Sequence, residues 1–250
     1  MPERTIAVIR QGYDDSAGFD TGVSHALLRR VSEGSLAETF RISTPGRVVA
    51  FAKQDRIAPG FGRATELARH HRFESVIRLP GGRAAVFHER TISFSWTVPH
   101  PDPVRGIRRR FTQTAAVLTT ALASIGIETA VGEIPGEYCP GEFSLNHAGT
   151  IKLAGIGQRL IRGAAHVGGV LVVGNAREIR EVLVPVYDAL SLEWDPSTVG
   201  ALDDLAPGVD NDAVTDAIVG ALATTATTMT ATLDDETLEL ARALAPMHTP

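Results

Sequence analysis

The stretches "IKLAGIGQ" (151–158) and "AAHVGGVLVV" (164–173) are apolar runs spaced by glycines, and the first carries a lysine, Lys152, in its interior. Their length and their content of Ile, Leu and Val predict two strands. Upstream, "IETAV" (127–131) and "FSLNH" (143–147) are further strand candidates. "AAVFH" (84–88) and "TISFSWTV" (91–98) are separated only by Glu89 and Arg90 and read as a strand pair. "FRISTPGRVVAFA" (40–52) reads as a hairpin around Thr44-Pro45-Gly46, and "TIAVIR" (5–10) as a first strand.

Helical patterns lie between and after these runs. "DTGVSHALLRRVSEG" (20–34) has Asp20 as its expected cap, Val23, Ala26, Leu27 and Val31 on one face, and Gly34 to end it. "GRATELARHHRF" (62–73) is a short helix leading into "SVIRL" (75–79). A long amphipathic helix is expected from Pro103 to Ile125, with Val104, Ile107, Phe111, Leu118 and Leu122 on its apolar face and Gly126 as its stop. "AREIREVLVPVYDAL" (176–190) and stretches near 211–223 and 233–245 complete the set. Strands clustered in the middle with helices around them predict an α/β (α+β) fold, a central mixed β-sheet with packed helices. The Pro- and Asp-rich stretch near 195–210 divides an expected catalytic domain, 1–195, from a C-terminal helical extension, 196–250, packed on the same domain.

The 250 residues are 44% hydrophobic and 21% charged, a globular balance. A formal net charge of −5 argues against a nucleic-acid partner, because phosphate neutralisation needs a basic surface. One cysteine excludes an intrachain disulfide framework. The start "MPERTIAVIR" has no long apolar segment, and no run approaches the roughly 20 apolar residues that span a bilayer. A cytoplasmic protein without membrane contact is expected. His70-His71 lacks partners at metal-ligand spacing, so no metal site is expected.

"RLPGGRAAVFHER" (78–90) places Gly81 and Gly82 between two strands. No Lys-Ser or Lys-Thr follows, and no helix opens, so neither a phosphate loop nor a dinucleotide fingerprint fits. Two readings stand: a tight turn that needs glycine dihedrals, or backbone approaching a ligand with Arg78 or Arg83 supplying charge. His88, ending a strand, reads equally as a hydrogen-bonded structural histidine.

The order of a capped first helix, "TPGRVVAFAKQ", "RLPGGRAAVFHE", "IKLAGIGQR" and "AAHVGGVLVV" resembles the lipoate–protein ligase and octanoyltransferase superfamily, from about residue 20 to 190. The resemblance implies the biotin/lipoate ligase catalytic fold, which is class II aminoacyl-synthetase-like. Lys152, Gly155, Gly157 and Gln158 fall at the spacing of the family's lysine strand. Arg78, Gly81, Gly82, Arg83, Ala84 and His88 match its loop over the acyl chain, with Leu79 where a second arginine is usual. "HVGGV", with His166 and Gly168, echoes the family's short histidine–glycine segment.

The resemblance implies one of two chemistries. A transferase passes octanoyl or lipoyl through a cysteine thioester to a lysine of a lipoyl-carrier domain and needs no cofactor; its partners are acyl carrier protein or lipoyl-domain proteins. A ligase activates the free acid with ATP and Mg through an acyl-adenylate. A non-catalytic acyl- or carrier-binding member is the third reading. Lys152 is the expected catalytic cation under either chemistry, stabilising the oxyanion, and Lys152→Ala is expected to abolish activity with the fold intact. One transferase branch keeps its nucleophile after the lysine, where Ala164 stands here; a second keeps it in a loop before the lysine strand, where Cys139 stands. An unperturbed thiol is only a few per cent thiolate at pH 7, so a neighbouring cation would raise its reactivity. The other reading of Cys139 is a small buried hydrophobe. His147 lies nearby, although Asn146-His147-Ala148-Gly149 reads first as a hairpin turn. Arg29-Arg30 and Arg108-Arg109-Arg110 read as solvated helix faces or as docking points for an acidic carrier.

Overall fold

A computed structural model describes residues 4–14 and 16–250. In chain order the strands are β1 (Thr5–Ile9), β2 (Thr39–Ser43), β3 (Val48–Phe51), β4 (Glu74–Ile77), β5 (Ala85–Phe87), β6 (Thr91–Pro99), β7 (Ala130–Val131), β8 (Leu145–His147), β9 (Ile151–Ile161), β10 (Ala164–Val172) and β11 (Thr227–Ala231). The α-helices are α1 (Ala17–Ser32), α2 (Lys53–Arg56), α3 (Phe61–His70), α4 (Ile107–Ser124), α5 (Ala176–Ala189), α6 (Asn211–Ala223) and α7 (Asp235–Leu244). Eight strands form a mixed sheet in the order β11-β1-β2-β6-β10-β9-β8-β7, and β4-β3-β5 form a second, smaller sheet.

Alternation along β6 sets the two faces of the large sheet. Ile92, Phe94 and Trp96 are buried in one cluster with Phe40, Leu118, Leu122 and Ile218, so α4 and α6 cover that face. Each such side chain contributes about 1.5–3 kcal/mol on burial. Ser93, Ser95 and Thr97 alternate with them and face the other way, toward α1 and the small sheet. The small sheet is backed in turn by α3 and α5 through Val49, Phe51, Ala64, Ile179 and Leu183. The functional cleft lies between the two sheets, on the face where β6 carries only small polar side chains.

Four local expectations are corrected. The first helix starts at Ala17, behind Ser16, and Asp20 lies in its first turn without capping it. Asp20 instead accepts the Tyr13 N–H at 2.9 Å and pairs with Arg41. Arg41 is only 3% exposed, and a buried guanidinium requires a counter-charge. β2 and β3 are not a hairpin: β2 pairs with β1 and β6, whereas β3 pairs with β4 and β5. The turn between them carries the chain from one sheet to the other. It passes so close to Asp14 that a Cβ on Gly46 would lie 2.2 Å from the Asp14 carbonyl oxygen. β5 and β6 do not pair either, because both edges of β6 are taken by β2 and β10. The C-terminal segment is not wholly helical: β11 runs parallel to β1, with Thr5 opposite Thr227.

The turn after β8 is a hairpin, as its sequence suggests. Ala148 and Gly149 both take positive φ, 53° and 68°, and carry the chain back into β9. The strand predictions for 151–158 and 164–173 hold, and β9 and β10 pair antiparallel with Gly157 opposite Gly168. Among the described residues, no helix is long and apolar enough to cross a membrane.

Candidate active site

The loop before β8 is wired around one buried carboxylate. Glu137, 3% exposed, accepts through Oε1 from the Gly141 N–H at 3.0 Å, the Ser144 hydroxyl at 2.6 Å and Lys152 Nζ at 3.1 Å. Lys152 comes from β9 and is fully buried. Its Nζ also donates to the carbonyls of Tyr138 at 2.9 Å and Cys139 at 2.8 Å. An ammonium has three N–H donors, and all three are committed here. Burial pushes the Lys152 ammonium below its ordinary range, opposed by the charges of Cys139 and Glu137.

These bonds hold Cys139 in the left-handed region at φ 45°, which costs a non-glycine residue about 1–3 kcal/mol. The Cys139 N–H donates to the Tyr187 hydroxyl at 2.9 Å, and that hydroxyl donates to the Ala84 carbonyl at 2.9 Å. α5 is thereby tied to the glycine loop through the cysteine. Burial pushes the Tyr187 and Tyr138 hydroxyls well up, so both remain protonated at neutral pH.

The sulfur meets a different cation from the one its backbone meets. Arg78 Nη2 and the backbone N–H of Arg83 each donate to Cys139 Sγ at 3.2 Å. Burial acts to raise the thiol's pKa, yet the charges of Arg78 and Lys152 and these two hydrogen bonds outweigh it and hold the thiol below its ordinary value. Arg78 Nη2 is fixed by the carbonyls of Gly81 at 2.7 Å and Arg83 at 2.8 Å. Arg83 reaches the buried Asp55 at 3.2 Å, and Gln54 of α2 donates to the Gly82 carbonyl.

Gly82 is required here twice. Its φ is +98°, and a Cβ would lie 2.5 Å from Arg78 Nη2 and 2.7 Å from Cys139 Sγ. Gly82→Ala is therefore expected to dislodge the guanidinium and the sulfur from each other. Alkylation of Cys139 at pH 7 should fall about tenfold, with a Tm change of only a few degrees; an unchanged alkylation rate would contradict the contact.

Arg78 also lines a cleft of about 90 Å³. Val48, Ala50 and Val76 form its apolar wall, and Ser93, Ser95 and His166 face them from the large sheet. That volume is several times what one water molecule needs, and the wall is apolar enough for a slender hydrocarbon chain. His166 sits with its Nδ1 3.4 Å from the Thr97 hydroxyl. Burial, with Arg41 and His25 nearby, lowers its pKa to about 4, so the ring is neutral at pH 7.

The candidate residues from the sequence thus divide. Arg78, Gly81, Gly82 and Arg83 gather over Cys139, Ala84 anchors Tyr187, and Lys152 lies beneath the loop. Gly155 gives Lys152 room, with its Cβ position 3.4 Å from the lysine Cε, and Gly157 packs against Pro80. Gly168 lines the cleft beside His166. Gln158 lies on the opposite face, where it accepts from Arg110 Nε at 3.0 Å and donates to the Ile107 carbonyl at 2.8 Å. A residue next to Gly157 in a strand must point the other way.

His88 is also away from the cleft. It is fully buried at the turn into β6, its Nδ1 accepts from the Arg90 N–H at 3.0 Å and its Nε2 has no partner. With Glu89 and Glu178 it forms the group of metal-ligating side chains found among the described residues. Arg47 pairs with both carboxylates there and supplies their counter-charge. His147 binds the Glu128 carbonyl at 2.9 Å. Of the arginine runs, Arg30 is buried against Asp234, Glu236 and Thr237, and Arg110 is held by Gln158, so neither is free to dock a partner.

Glu137, Tyr138, Tyr187 and Asp55 were not singled out in the sequence. Glu137 and Tyr138 carried a signal in their position immediately before the lone cysteine. Tyr187 and Asp55 carried none, because only packing brings them near.

A family model described as the lipoyl protein ligase A/B catalytic domain matches residues 17–223. Among curated proteins, the chain is 28% identical over 187 residues to an octanoyl-[GcvH]:protein N-octanoyltransferase from Geobacillus kaustophilus (strain HTA426), covering 75% of this chain and 65% of that one. It is 29% identical over 167 residues to the protein of the same description from Exiguobacterium sibiricum, covering 63% and 60%. The chain therefore spans somewhat less than two thirds of these relatives. Among solved structures, lipoate-protein ligase A bound with ATP superposes with a TM-score of 0.76 at 15% identity, over 96% of this chain and 94% of that one. A bipartite lipoate protein ligase from Thermoplasma acidophilum, studied with its E2 lipoyl domain, gives 0.74 at 16% identity, over 96% and 91%. These likenesses establish the shared fold.

Proposed function

The chain belongs to the lipoyl protein ligase A/B catalytic domain family, and from that premise we propose that it is a cytoplasmic protein acyltransferase that moves octanoyl or lipoyl groups between carrier proteins through Cys139. The observation that carries this reading is the thiol itself. It is held by a guanidinium and a backbone N–H at 3.2 Å each, and the same arginine lines an apolar cleft. The curated relatives' description, octanoyl transfer from GcvH to a protein, points the same way.

In this mechanism the Cys139 thiolate attacks the acyl carbonyl of the donor. The new C–S bond forms as the bond to the donor's heteroatom breaks; that heteroatom leaves as a thiolate, or as an amine after taking a proton from solvent. The acyl chain rests between β3 and β6 while the thioester waits. A neutral lysine amine of the acceptor lipoyl domain then attacks the thioester carbon. The C–N bond forms, the C–S bond breaks, Cys139 regains its thiolate and the amine releases its extra proton to solvent. The chain's own contribution is a thiol activated before substrate arrives and a cleft that orients the chain.

The test is incubation with an octanoylated carrier protein without ATP, followed by intact-mass measurement. An added octanoyl group that hydroxylamine removes, and that an acceptor lipoyl domain takes up, is the expected result. Product formed only from free octanoate or lipoate with Mg-ATP would establish the ligase reading. No covalent change, with acyl ligands still raising Tm, would favour a binding protein.

A further inference from the structure

We propose that Arg29, Lys53 and Arg159 form the docking surface for an acidic face of the carrier protein, beside the cleft where His166 lines it. The assignment rests on the reading that a carrier protein is the substrate. β9 and β10 pair with Arg159 directly opposite His166, so both side chains share the cleft face of the large sheet. Gly157, two residues earlier on that face, packs against Pro80 of the glycine loop. Ser24, Pro80 and His166 all line the cleft. His25 follows Ser24 on α1, and Arg29 lies one helical turn beyond His25 on the same face. Lys53 opens α2 next to Gln54, which donates to the Gly82 carbonyl.

What sets these cations apart is that nothing neutralises them. Arg30, Arg41, Arg47, Arg83 and Arg90 each pair with a carboxylate. Among the described residues, Arg29, Lys53 and Arg159 make neither an ion pair nor a side-chain hydrogen bond, although Arg29 and Arg159 are half-buried. The group on which all three act is itself neutral. His248, in the C-terminal turn Ala245–His248, donates through Nδ1 to the Ile77 carbonyl at 2.8 Å, because a carbonyl can only accept. Its Nε2 is then an acceptor, 3.1 Å from His25 Nδ1, which donates to it. Burial, His248 and the charges of Arg29, Arg159 and Lys53 lower the His25 pKa to about 4, so the ring adds no charge at pH 7.

Charge complementarity identifies the partner. The chain as a whole carries a formal −5, so an acidic protein is repelled by most of its surface and attracted where positive charge is unpaired. The partner that fits is a folded carrier domain with carboxylates beside its acylated lysine. Its carboxylates meet the three cations, and the long lysine side chain carries the acyl group past His166 into the cleft. The cations act on encounter and orientation, and the chemistry stays at Cys139.

The test is the Kd of the full chain for an unacylated lipoyl-carrier domain, measured by calorimetry. Arg29→Gln, Lys53→Gln and Arg159→Gln are each expected to raise Kd about threefold, and the triple variant about thirtyfold. Raising NaCl from about 50 to about 300 mM should weaken binding by the parent and change that of the triple variant little. Arg63→Gln, the same loss of charge at an exposed pair on α3, should leave Kd unaltered. In transfer assays the triple variant should raise KM for the carrier more than it lowers kcat. A folded triple variant that binds the carrier as tightly as the parent overturns the proposal, as does a fall in kcat with KM unchanged. A parent that binds inorganic phosphate through these residues but no carrier also overturns it, and reassigns the cluster to a small anion. If the triple variant fails to fold, the single variants and the parent's salt dependence decide. Because the carrier is unacylated, the two ideas separate: this binding pattern without octanoyl transfer would sink the acyltransferase reading and leave the docking surface standing.

Discussion

Cys139→Ser is expected to abolish the ATP-independent transfer of octanoyl to a lipoyl domain, a loss of at least about 10⁴-fold, while the protein keeps its Tm within a few degrees. The size follows from the chemistry: loss of a nucleophile removes the covalent route itself, and the remaining binding groups supply only a residual rate. A serine hydroxyl fits the same space, and Arg78 and the Arg83 N–H can donate to its oxygen, so the fold has no reason to change. At neutral pH, however, those donors cannot make it an alkoxide, since its pKa lies far above that of a thiol. Intact mass should show no hydroxylamine-labile adduct on the variant. Transfer persisting without ATP at even a tenth of the normal rate would remove Cys139 from the mechanism.

The second large effect is on stability. Lys152→Met leaves Glu137, 3% exposed, facing a methyl group in place of its counter-charge. Removing one partner of a buried ion pair costs about 3–5 kcal/mol. In a chain of this size each kcal/mol corresponds to a Tm change of about 2–4 °C, so a fall on the order of 10 °C is expected by calorimetry. The expectation from sequence that Lys152→Ala would leave the fold intact is therefore replaced by one in which lysine loss disturbs both fold and activity. A double variant, Glu137→Gln with Lys152→Met, should regain much of the Tm because no unpaired charge remains, without regaining transfer. If the single variant melts within about 2 °C of the parent, the pair contributes little and Lys152 is free to act elsewhere.

Much of the architecture was legible because it depends on short-range patterns. The helix expected over 103–125 is α4 from Ile107 to Ser124; its first residues, Pro103–Gly106, form a separate 3-10 turn in which Val104 is exposed. The glycine-spaced runs at 151–173 are β9 and β10. The readings that failed each involve partners distant in sequence. Thr44-Pro45-Gly46 has the composition of a hairpin turn, but nothing local reveals that β2 finds its neighbours at β1 and β6. β11 was hidden in an Ala/Thr-rich run because its pairing to β1 closes over more than 200 residues. Gln158 is an instructive exception. Strand alternation alone places it opposite Gly157, so its distance from the cleft could have been read from parity.

The sequence alone determined the strands that carry the site, the resemblance to its family and the one thiol available as a nucleophile. Those properties follow from which residues are neighbours along the chain and how often apolar ones recur. Only the tertiary structure decided which cation reaches the sulfur. Lys152 and Cys139 are close in sequence, but the loop between them turns so that the ammonium meets carbonyls and Glu137. Arg78, from a segment 61 residues earlier, is carried over Sγ by the packing of the small sheet on the large one. Hydrogen-bond reach is set by where backbones cross in space, and that information is not local.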